Sequence, residues 1–343
     1  MSHQESSSLA TDQQAIEQLL NRPTLQTTPF TALQTAEDVA TILSSDIAGK
    51  TVVITGVSPS GIGAEAARVI HKHNPKLLVL ASRSTKNIDA TITAIGGAGS
   101  SNVKGVELDL ADLESVRKAA AEILEQTSVV DVLINNAGIM MLPEFQTTRQ
   151  GVEMQFGTNH LGHFLLTNLL MPALLQSSQG ASVVNVSSAG HHAGNVPFED
   201  INFDNGKTYE PFPAYGGSKT ANILFTVSLA AKLKSKGLRS FALDPGAVIG
   251  TELSRTMSLE TKAAMGAWNP DGTPSEKIPW ITVAHGASSY IVTGFATSIP
   301  EHNGKAFVKN NVDTTVAPYS LDPEGAEKLW VLSEKLVGQE FAY

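Results

Sequence analysis

The stretch TVVITGVSPSGIGAEAARVI, residues 51–70, decides the fold class. It predicts a buried strand over Thr51–Thr55, then a tight turn, then the first turns of a helix. Three glycines leave the backbone of the turn bare: Gly56, Gly61 and Gly63. Bare backbone at the positive end of a helix favours binding of a dinucleotide pyrophosphate, and Ser58 adds a hydroxyl donor. The alternative is a flexible glycine turn with no ligand.

The chain beyond this stretch alternates short apolar runs with longer helix-periodic segments. Six further runs are predicted as strands: Leu77–Ala81, Val103–Leu108, Val129–Asn135, Ser182–Ser187, Arg239–Leu243 and Lys305–Val308. Segments between them are predicted as helices, among them Ala64–His73, Leu113–Gln126, Val152–Gln176 and Tyr215–Lys236. Strands that are apolar throughout are typical of a parallel sheet covered on both faces. We therefore predict a single α/β domain, a Rossmann-type doubly wound parallel sheet of about seven strands with helices on both faces.

Composition narrows the classes of function. The chain has 343 residues, a net charge of −9 and no cysteine. The negative charge argues against a nucleic-acid partner, and the lack of cysteine excludes disulfides and thiol nucleophiles. No secretory signal opens the sequence, and the most apolar run, residues 161–175, is too short and too interrupted to span a membrane. We expect a cytoplasmic protein.

The residues that follow the second predicted strand bear on coenzyme choice. Ala81-Ser82-Arg83 stands where a site for NAD usually places an acidic residue to bind the ribose diol. An arginine there is suited to a 2′-phosphate, so NADP(H) is favoured over NAD(H). The alternative is a solvated surface arginine.

Tyr215 and Lys219 are four residues apart at the start of a helical pattern, which places both side chains on one face. An ammonium about 4 Å from a phenol, at an effective dielectric of about 20, favours the phenolate by about 4 kcal/mol. The pair therefore predicts an acid–base group that works near neutral pH, with its pKa lowered by the charge before desolvation opposes the shift. Two glycines open this helix, Gly216 and Gly217. Either close approach of a ligand or a simple helix-start turn would account for them.

These elements occur with further motifs in a fixed order. They are NNAG at residues 135–138, Asn159 in NHLGHF, VNVSSAGHH at residues 184–192 and Asp244-Pro245-Gly246. From about Thr35 onwards the chain resembles the short-chain dehydrogenases/reductases, and within them the retinol-dehydrogenase-like and WW-domain-oxidoreductase-like members. The glycine turn and the segment from Pro245 to Thr251 are each one residue longer than the usual family pattern.

The resemblance implies four catalytic residues. Tyr215 would be the general acid in reduction and the base in oxidation, and Lys219 would lower its pKa and bind the nicotinamide ribose. Ser188 would hydrogen-bond the substrate oxygen, and Asn159 would anchor a water that relays protons to Lys219. The coenzyme site implied by the resemblance and the glycine turn comprises Gly56, Ser58, Gly61, Ile62, Gly63, Arg83, Asp109, Leu110, Asn136, Ala137, Gly138, Tyr215, Lys219, Pro245, Gly246 and Thr251.

The flanking segments are assigned in outline. Residues 1–47 are expected to form a partly mobile N-terminal extension, with helices capped by Thr11 with Gln14 and by Thr35 with Asp38. Residues 48–343 would form the catalytic domain, with a substrate lid at about residues 250–285. Apolar side chains in this lid suit an apolar substrate, although helix packing would also explain them: Met257, Met265, Trp268 and Trp280.

Histidine pairs and a group of aromatic residues are also candidates for a functional role. Of three histidine pairs, only His160 and His163 have helical spacing, and no acid accompanies them, so no metal site is predicted. His191 and His192 could face the substrate pocket or a surface loop. Between Ser188 and Tyr215, aromatic side chains either line the pocket or fasten a loop to the surface: Phe198, Phe203, Tyr209 and Phe212.

The resulting hypothesis is an NADP(H)-dependent carbonyl reductase or alcohol dehydrogenase. It would act on an apolar ketone, aldehyde or secondary alcohol as its small-molecule partner, with a biosynthetic role and a homodimeric or homotetrameric assembly as further expectations from the resemblance. Two alternatives remain at this point. One is a non-redox isomerase, dehydratase or cyclase at the same site, and the other is a non-catalytic dinucleotide-binding sensor.

Overall fold

A nine-stranded sheet runs through the protein, whose computed structural model describes residues 23–343. The strand order is β1-β9-β8-β7-β6-β5-β2-β3-β4. All pairs from β4 across to β8 are parallel, while β9 is antiparallel to both β8 and β1. The strands are β1 Thr24–Leu25, β2 Thr51–Thr55, β3 Leu77–Ser82, β4 Val103–Glu107, β5 Val132–Asn135, β6 Ser182–Val186, β7 Arg239–Asp244, β8 Ala306–Val308 and β9 Asn311–Asp313.

The predicted fold class is confirmed, and each of the seven predicted strands is present. Their central members are fully buried because helices cover both faces of the sheet. Two short strands, β1 and β9, were missed, since runs of two or three residues carry no detectable alternation. Successive strands are added in one direction from β2 to β4 and in the opposite direction from β5 onwards, which makes the carboxyl ends of the parallel neighbours β2 and β5 the switch point of the sheet.

The helices form one layer on each face of the sheet. They are α1 Ala36–Ile42, α2 Ser44–Ile47, α3 Ile62–Lys72, α4 Thr85–Ala94, α5 Leu113–Gln126, α6 (Met154–Phe156, a π-helical turn at Gly157–Leu161, and Gly162–Leu174), α7 Pro211–Leu233, α8 Leu259–Ala264, α9 Val283–Gly286, α10 Ser288–Phe295 and α11 Pro323–Val337. Helices α5, α6, α7 and α11 pack over one face and α1, α3 and α10 over the other, each with its own apolar core. Among residues 23–343, no helix has the length and apolarity needed to cross a membrane.

The segment before β2 is built into the domain from residue 23 onwards. Asn311 holds it, because its Oδ1 accepts the N–H groups of Thr27 and Thr28 at 2.8 and 3.0 Å and its Nδ2 donates to the carbonyl of Phe30 at 2.9 Å. Helix α1 then begins with the predicted capping box of Thr35 and Asp38. The helix predicted after Thr11 lies outside the described residues.

Candidate active site

A cavity of about 660 Å³ opens at the carboxyl edge of the sheet, at the switch point between β2 and β5. The structure brings nearly all of the predicted site residues to its wall, from Arg83 at one end to Ser188 and Tyr215 at the other. Two predicted residues, Gly63 and Asn159, lie directly behind that wall.

The glycine turn needs its glycines for close backbone approach. Gly56 has φ +74°, and a Cβ on it would lie 2.5 Å from the Cα of Ala137. A Cβ on Gly63 would lie 2.5 Å from Asn136 Nδ2. Helix α3 begins at Gly61 with no side-chain cap, so the first N–H groups of an eleven-residue helix are left at the cavity. This arrangement fits an anionic pyrophosphate.

Asn136 supports the turn from behind. Its Nδ2 donates to the carbonyls of Thr55 and Gly56 at 2.7 and 2.8 Å, and its Oδ1 accepts from the Tyr290 hydroxyl at 2.8 Å. The side chain is thereby used within the protein, so its part in the site is to hold the turn. Tyr290 was missed by the sequence reasoning, because nothing in its local pattern on α10 distinguishes it from a core tyrosine.

At the far end of the cavity, Arg83 is exposed on the wall and makes no hydrogen bond or ion pair with any other residue between 23 and 343. Asn87 lines the same end, and Ser84 caps helix α4 there. Asp109 also reaches the wall, where its Oδ1 accepts the N–H of Ala111 at 3.0 Å. The Arg83 guanidinium therefore has no ion pair within residues 23–343 that a bound anion would have to displace.

Tyr215 lies at the other end, on α7, and the Ser188 side chain lies beside it on the same wall of the cavity. Ser188 Oγ also accepts the N–H of Gly190 at 3.0 Å. Burial raises the pKa of Tyr215 above its usual value; the neighbouring Ser188 side chain opposes this rise, and the negative charge of Asp244 adds to it. In this geometry the phenol is protonated at neutral pH. The sequence predicted a lowered pKa for Tyr215, whereas in the structure its pKa is raised.

The difference arises from where Lys219 points. Its Nζ lies 5.7 Å from the centre of the Tyr215 ring and donates to the carbonyl of Val186 at 3.0 Å. Burial lowers the pKa of Lys219 itself to about 8, opposed by the charge of Asp244. The ammonium is thus held at the floor of the cavity by a strand carbonyl rather than paired with the phenol.

Asn159 lies in the π-helical turn of α6, and its side chain grips Ile139. Oδ1 accepts the Ile139 N–H at 2.9 Å, and Nδ2 donates to the Ile139 carbonyl at 3.0 Å and to Ser218 Oγ at 2.9 Å. A Cβ on Gly138 would meet both Asn159 Oδ1, at 3.2 Å, and Lys219 Nζ, at 3.5 Å. The absence of a side chain at Gly138 therefore keeps open the space between these two groups.

Helix α7 begins at Pro211, four residues before the predicted start, so Gly216 and Gly217 lie in its second turn, where close packing of protein backbone explains them. A Cβ on Gly216 would lie 2.7 Å from the carbonyl oxygen of Gly190, and one on Gly217 would lie 2.8 Å from that of Asn195. The serine-bearing segment therefore lies directly against the helix that carries Tyr215. Neither proposed explanation was right: the close approach is real, but the approaching group is the protein's own backbone.

The wall around Tyr215 is apolar and rich in sulfur. Met141 and Phe212 are buried against Tyr215, and three partly buried methionines join or extend the cluster: Met140, Met257 and Met265. Trp268 and Trp280, 5.8 Å apart between ring centres, continue the wall. The methionines and tryptophans predicted in the lid thus face the cavity, and of the four loop aromatics only Phe212 reaches it.

The remaining aromatics and histidines serve the framework. Tyr209 packs edge-on against Phe203 and Phe145, which fastens that loop. His191 is buried away from the cavity and hydrogen-bonds the Ser188 carbonyl at 2.7 Å and the Ala317 N–H at 3.2 Å. Over residues 23–343, no group of three or more potential metal ligands comes together.

Comparison with known proteins places this geometry in context. A family model described as short chain dehydrogenase matches residues 50–262. Retinol dehydrogenase 13 of Homo sapiens is 37% identical over 329 residues, covering 91% of this chain and 95% of that protein. Short-chain dehydrogenase/reductase prx1 of Penicillium roqueforti is 37% identical over 296 residues, covering 84% of this chain and 85% of prx1. A crystal structure of an uncharacterized protein from Mycobacterium paratuberculosis is 33% identical, with a TM-score of 0.68, covering 92% of this chain and all of that one.

Proposed function

The chain belongs to the short-chain dehydrogenase/reductase family, and from this premise we propose that it is an NADP(H)-dependent oxidoreductase acting on apolar ketones, aldehydes or secondary alcohols. One observation carries the proposal. The hydroxyls of Ser188 and Tyr215 open onto the same cavity as the glycine turn and Arg83. With a substrate carbonyl placed beside these hydroxyls, the rest of the cavity would have room for a dinucleotide.

The phosphates of the coenzyme would be held by groups that have no competing partner within residues 23–343. The uncapped N-terminus of α3 would receive the pyrophosphate, and Arg83 would receive the 2′-phosphate. Asp109 and Thr251 would complete the adenine and nicotinamide ends of the site. When bound, NADP(H) supplies or accepts the hydride; the protein's task is to orient it and to move the proton.

Tyr215 would donate that proton in the reductive direction. The raised pKa of Tyr215 keeps the phenol protonated at neutral pH, which is the form a general acid needs. Ser188 accepts the Gly190 N–H with its oxygen and keeps its own hydrogen available for the substrate oxygen, or for the phenolate that Tyr215 becomes once it has donated its proton.

Lys219 and Asn159 would help to return a proton to Tyr215 after each reduction. With a pKa of about 8, Lys219 is largely protonated at pH 7 yet gives up its proton readily. The space beside Gly138, between Lys219 Nζ and Asn159 Oδ1, would accommodate a water that connects the two.

The substrate class follows from the methionine cluster. Met140, Met141, Met257 and Met265 are four of the chain's seven methionines, and they surround Tyr215. Thioether side chains are flexible and adapt to apolar ligands of different shape. Residues 250–285 would act as the lid of the 48–343 domain and close this apolar wall over a bound ketone or aldehyde.

The test is a coenzyme-discriminating assay. NADPH and NADH oxidation would be followed against a panel of apolar aldehydes and ketones, with wild type, Arg83→Ala and Lys86→Ala compared. Lys86 is an equally exposed cation on α4 that does not line the cavity. We expect wild type to prefer NADPH. We expect KM for NADPH to rise about tenfold in Arg83→Ala and to stay unchanged in Lys86→Ala. Preference for NADH, or no turnover with any carbonyl, would contradict the proposal.

A further inference from the structure

His160 and His163 stand one turn apart on α6, and both are fully buried. Their helical spacing is compatible with a metal pair, but the two side chains make separate contacts. His160 Nε2 pairs with Ser333 Oγ on α11 at 2.8 Å. His163 Nε2 lies 2.9 Å from Thr55 Oγ1, and its Nδ1 lies 3.0 Å from the carbonyl oxygen of Asn159.

The number of donors and acceptors around Thr55 Oγ1 fixes where its hydrogen points. Thr55 Oγ1 accepts the N–H groups of Asn136 and Ala137, both at 3.0 Å, which uses its two lone pairs. Its own hydrogen must then be donated, and His163 Nε2 at 2.9 Å is a better acceptor than the carbonyl of Ile134 at 3.5 Å.

The tautomer of His163 follows in turn. Since Nε2 accepts, Nδ1 carries the hydrogen and donates to Asn159. Burial lowers the pKa of His163 to about 4; the bond to Asn159 opposes this, and the charge of Lys219 adds to it. A neutral ring is consistent with one nitrogen donating and the other accepting.

We propose that His163 is a positioning residue that fixes the distance between the coenzyme turn and Asn159. Nε2 of His163 hydrogen-bonds Thr55, whose Oγ1 in turn accepts the backbone N–H groups of Asn136 and Ala137. Nδ1 hydrogen-bonds the carbonyl of Asn159 in the π-helical turn. The catalytic meaning of this link rests on the proposed function. The link itself is a property of the protein without its coenzyme.

Two single-link variants separate the two halves of the bridge. His163→Asn keeps a donor for the Asn159 carbonyl, as Asn168 Nδ2 does for Phe164 at 2.9 Å one turn on, but is too short to reach Thr55. His163→Gln keeps an acceptor near Thr55 and loses the donor to Asn159. His163→Leu removes both links, and His160→Leu is the matched control on the same helix.

The first readout is amide hydrogen exchange of the segment around residues 134–139 without coenzyme. We expect His163→Leu and His163→Asn to raise the exchange rate of the Asn136 and Ala137 amides about tenfold, with no such change in His160→Leu. Equal exchange in His163→Leu and His160→Leu would overturn the proposal, whether or not the protein proves to be an oxidoreductase.

The second readout is functional. NADPH dissociation constants and kcat with decanal would be measured for all four variants at a temperature where each is folded. We expect His163→Asn to weaken NADPH binding about tenfold with little change in kcat, and His163→Gln to lower kcat about tenfold with little change in NADPH binding. Identical losses in every variant, His160→Leu included, would show packing alone and contradict the bridge. A wild type that binds no NADPH would contradict the proposed function, and the exchange rates would still decide the bridge.

Discussion

The two halves of the cavity are built in opposite ways. The coenzyme half is formed at the ends of β2, β3 and β5, where buried strands and close backbone contacts fix Gly56 and Asn136. The substrate half is formed by the segment after β7, which is tied by isolated bridges such as Val248 with Ile281 and contains the six-residue helix α8, none of whose residues is buried. A rigid half that holds a common coenzyme and a loosely packed half that meets the substrate can change independently.

Tyr215 stands where the two halves meet, and its loss should have the largest effect. Tyr215→Phe removes the proton donor and keeps the ring against Met141 and Phe212. We expect turnover of an apolar aldehyde to fall about a thousandfold with NADPH affinity little changed. Steady-state kinetics and NADPH fluorescence titration would measure both. Tyr209→Phe is the control: it removes a hydroxyl that donates to the Leu142 carbonyl and accepts from Gln155 Nε2, and it should keep its activity. Near-wild-type turnover by Tyr215→Phe would disprove the mechanism.

The contrast in rigidity predicts different costs for the same substitution in each half. Gly56→Ala would place a methyl 2.5 Å from Ala137 Cα at φ +74°, whereas Gly250→Ala, at φ +87°, meets no atom within 4 Å. We expect Gly56→Ala to lower the free energy of unfolding by about 2–4 kcal/mol and to abolish NADPH binding, and Gly250→Ala to cost about 1 kcal/mol. Urea unfolding would compare them. Equal costs would remove the distinction between the halves.

The two lysines Lys219 and Lys262 differ in how much burial of their charge costs in stability. The pKa of Lys219 lies near 8 in the folded protein and near 10.5 in the unfolded chain, so its burial penalty is complete below pH 8 and disappears as pH rises towards 10.5. Lys219→Met should therefore stabilise the protein at pH 7 by on the order of 1–3 kcal/mol while abolishing activity, and the gain should shrink by pH 9.5. Asn222 Nδ2 still bonds the Val186 carbonyl at 2.9 Å.

Lys262→Met is the control, because Lys262 lies over Trp268 in the half-exposed lid. Its stability should change by less than about 1 kcal/mol at either pH. A Lys219→Met variant that is less stable than wild type by the same amount at pH 7 and pH 9.5 would rule out a buried, penalised ammonium.

The smallest expected effect lies in the substrate half. Met265→Gln puts a polar amide into the apolar wall around Tyr215, so KM for decanal should rise about tenfold with NADPH binding unchanged. Met154→Gln, outside the cavity, is the control. A change in NADPH affinity on Met265→Gln would show that the two halves are coupled.

Features that depend on local sequence could be predicted, and features that depend on contacts between distant segments could not. Strand runs and the glycine turn obey local rules of periodicity and backbone space, so the sheet, the bounds of α5 and the wall around Gly56 follow from them. The role of the glycines before Lys219, the inward face of His191 and the contact of Asn311 with residues 27–30 depend on segments far apart in sequence. No local pattern encodes such contacts, because they arise only when the chain is assembled.

The pKa of Tyr215 was missed for a related reason. The spacing of Tyr215 and Lys219 places them on one helix face but does not reveal the Val186 carbonyl that draws the ammonium away. Nor does spacing give the burial that dominates the shift. Local geometry therefore identified the pair, and tertiary packing set its electrostatics.

The most direct test of the central claim is transfer of deuterium from NADPH labelled at C4 of the nicotinamide. Wild type and Tyr215→Phe would be incubated with labelled NADPH and an aldehyde that wild type turns over, and the product analysed by mass spectrometry. We expect one deuterium on the carbinol carbon in the wild-type product and a trace amount with Tyr215→Phe. Product formed without deuterium and without NADPH oxidation would contradict hydride transfer and favour isomerisation or dehydration at this site.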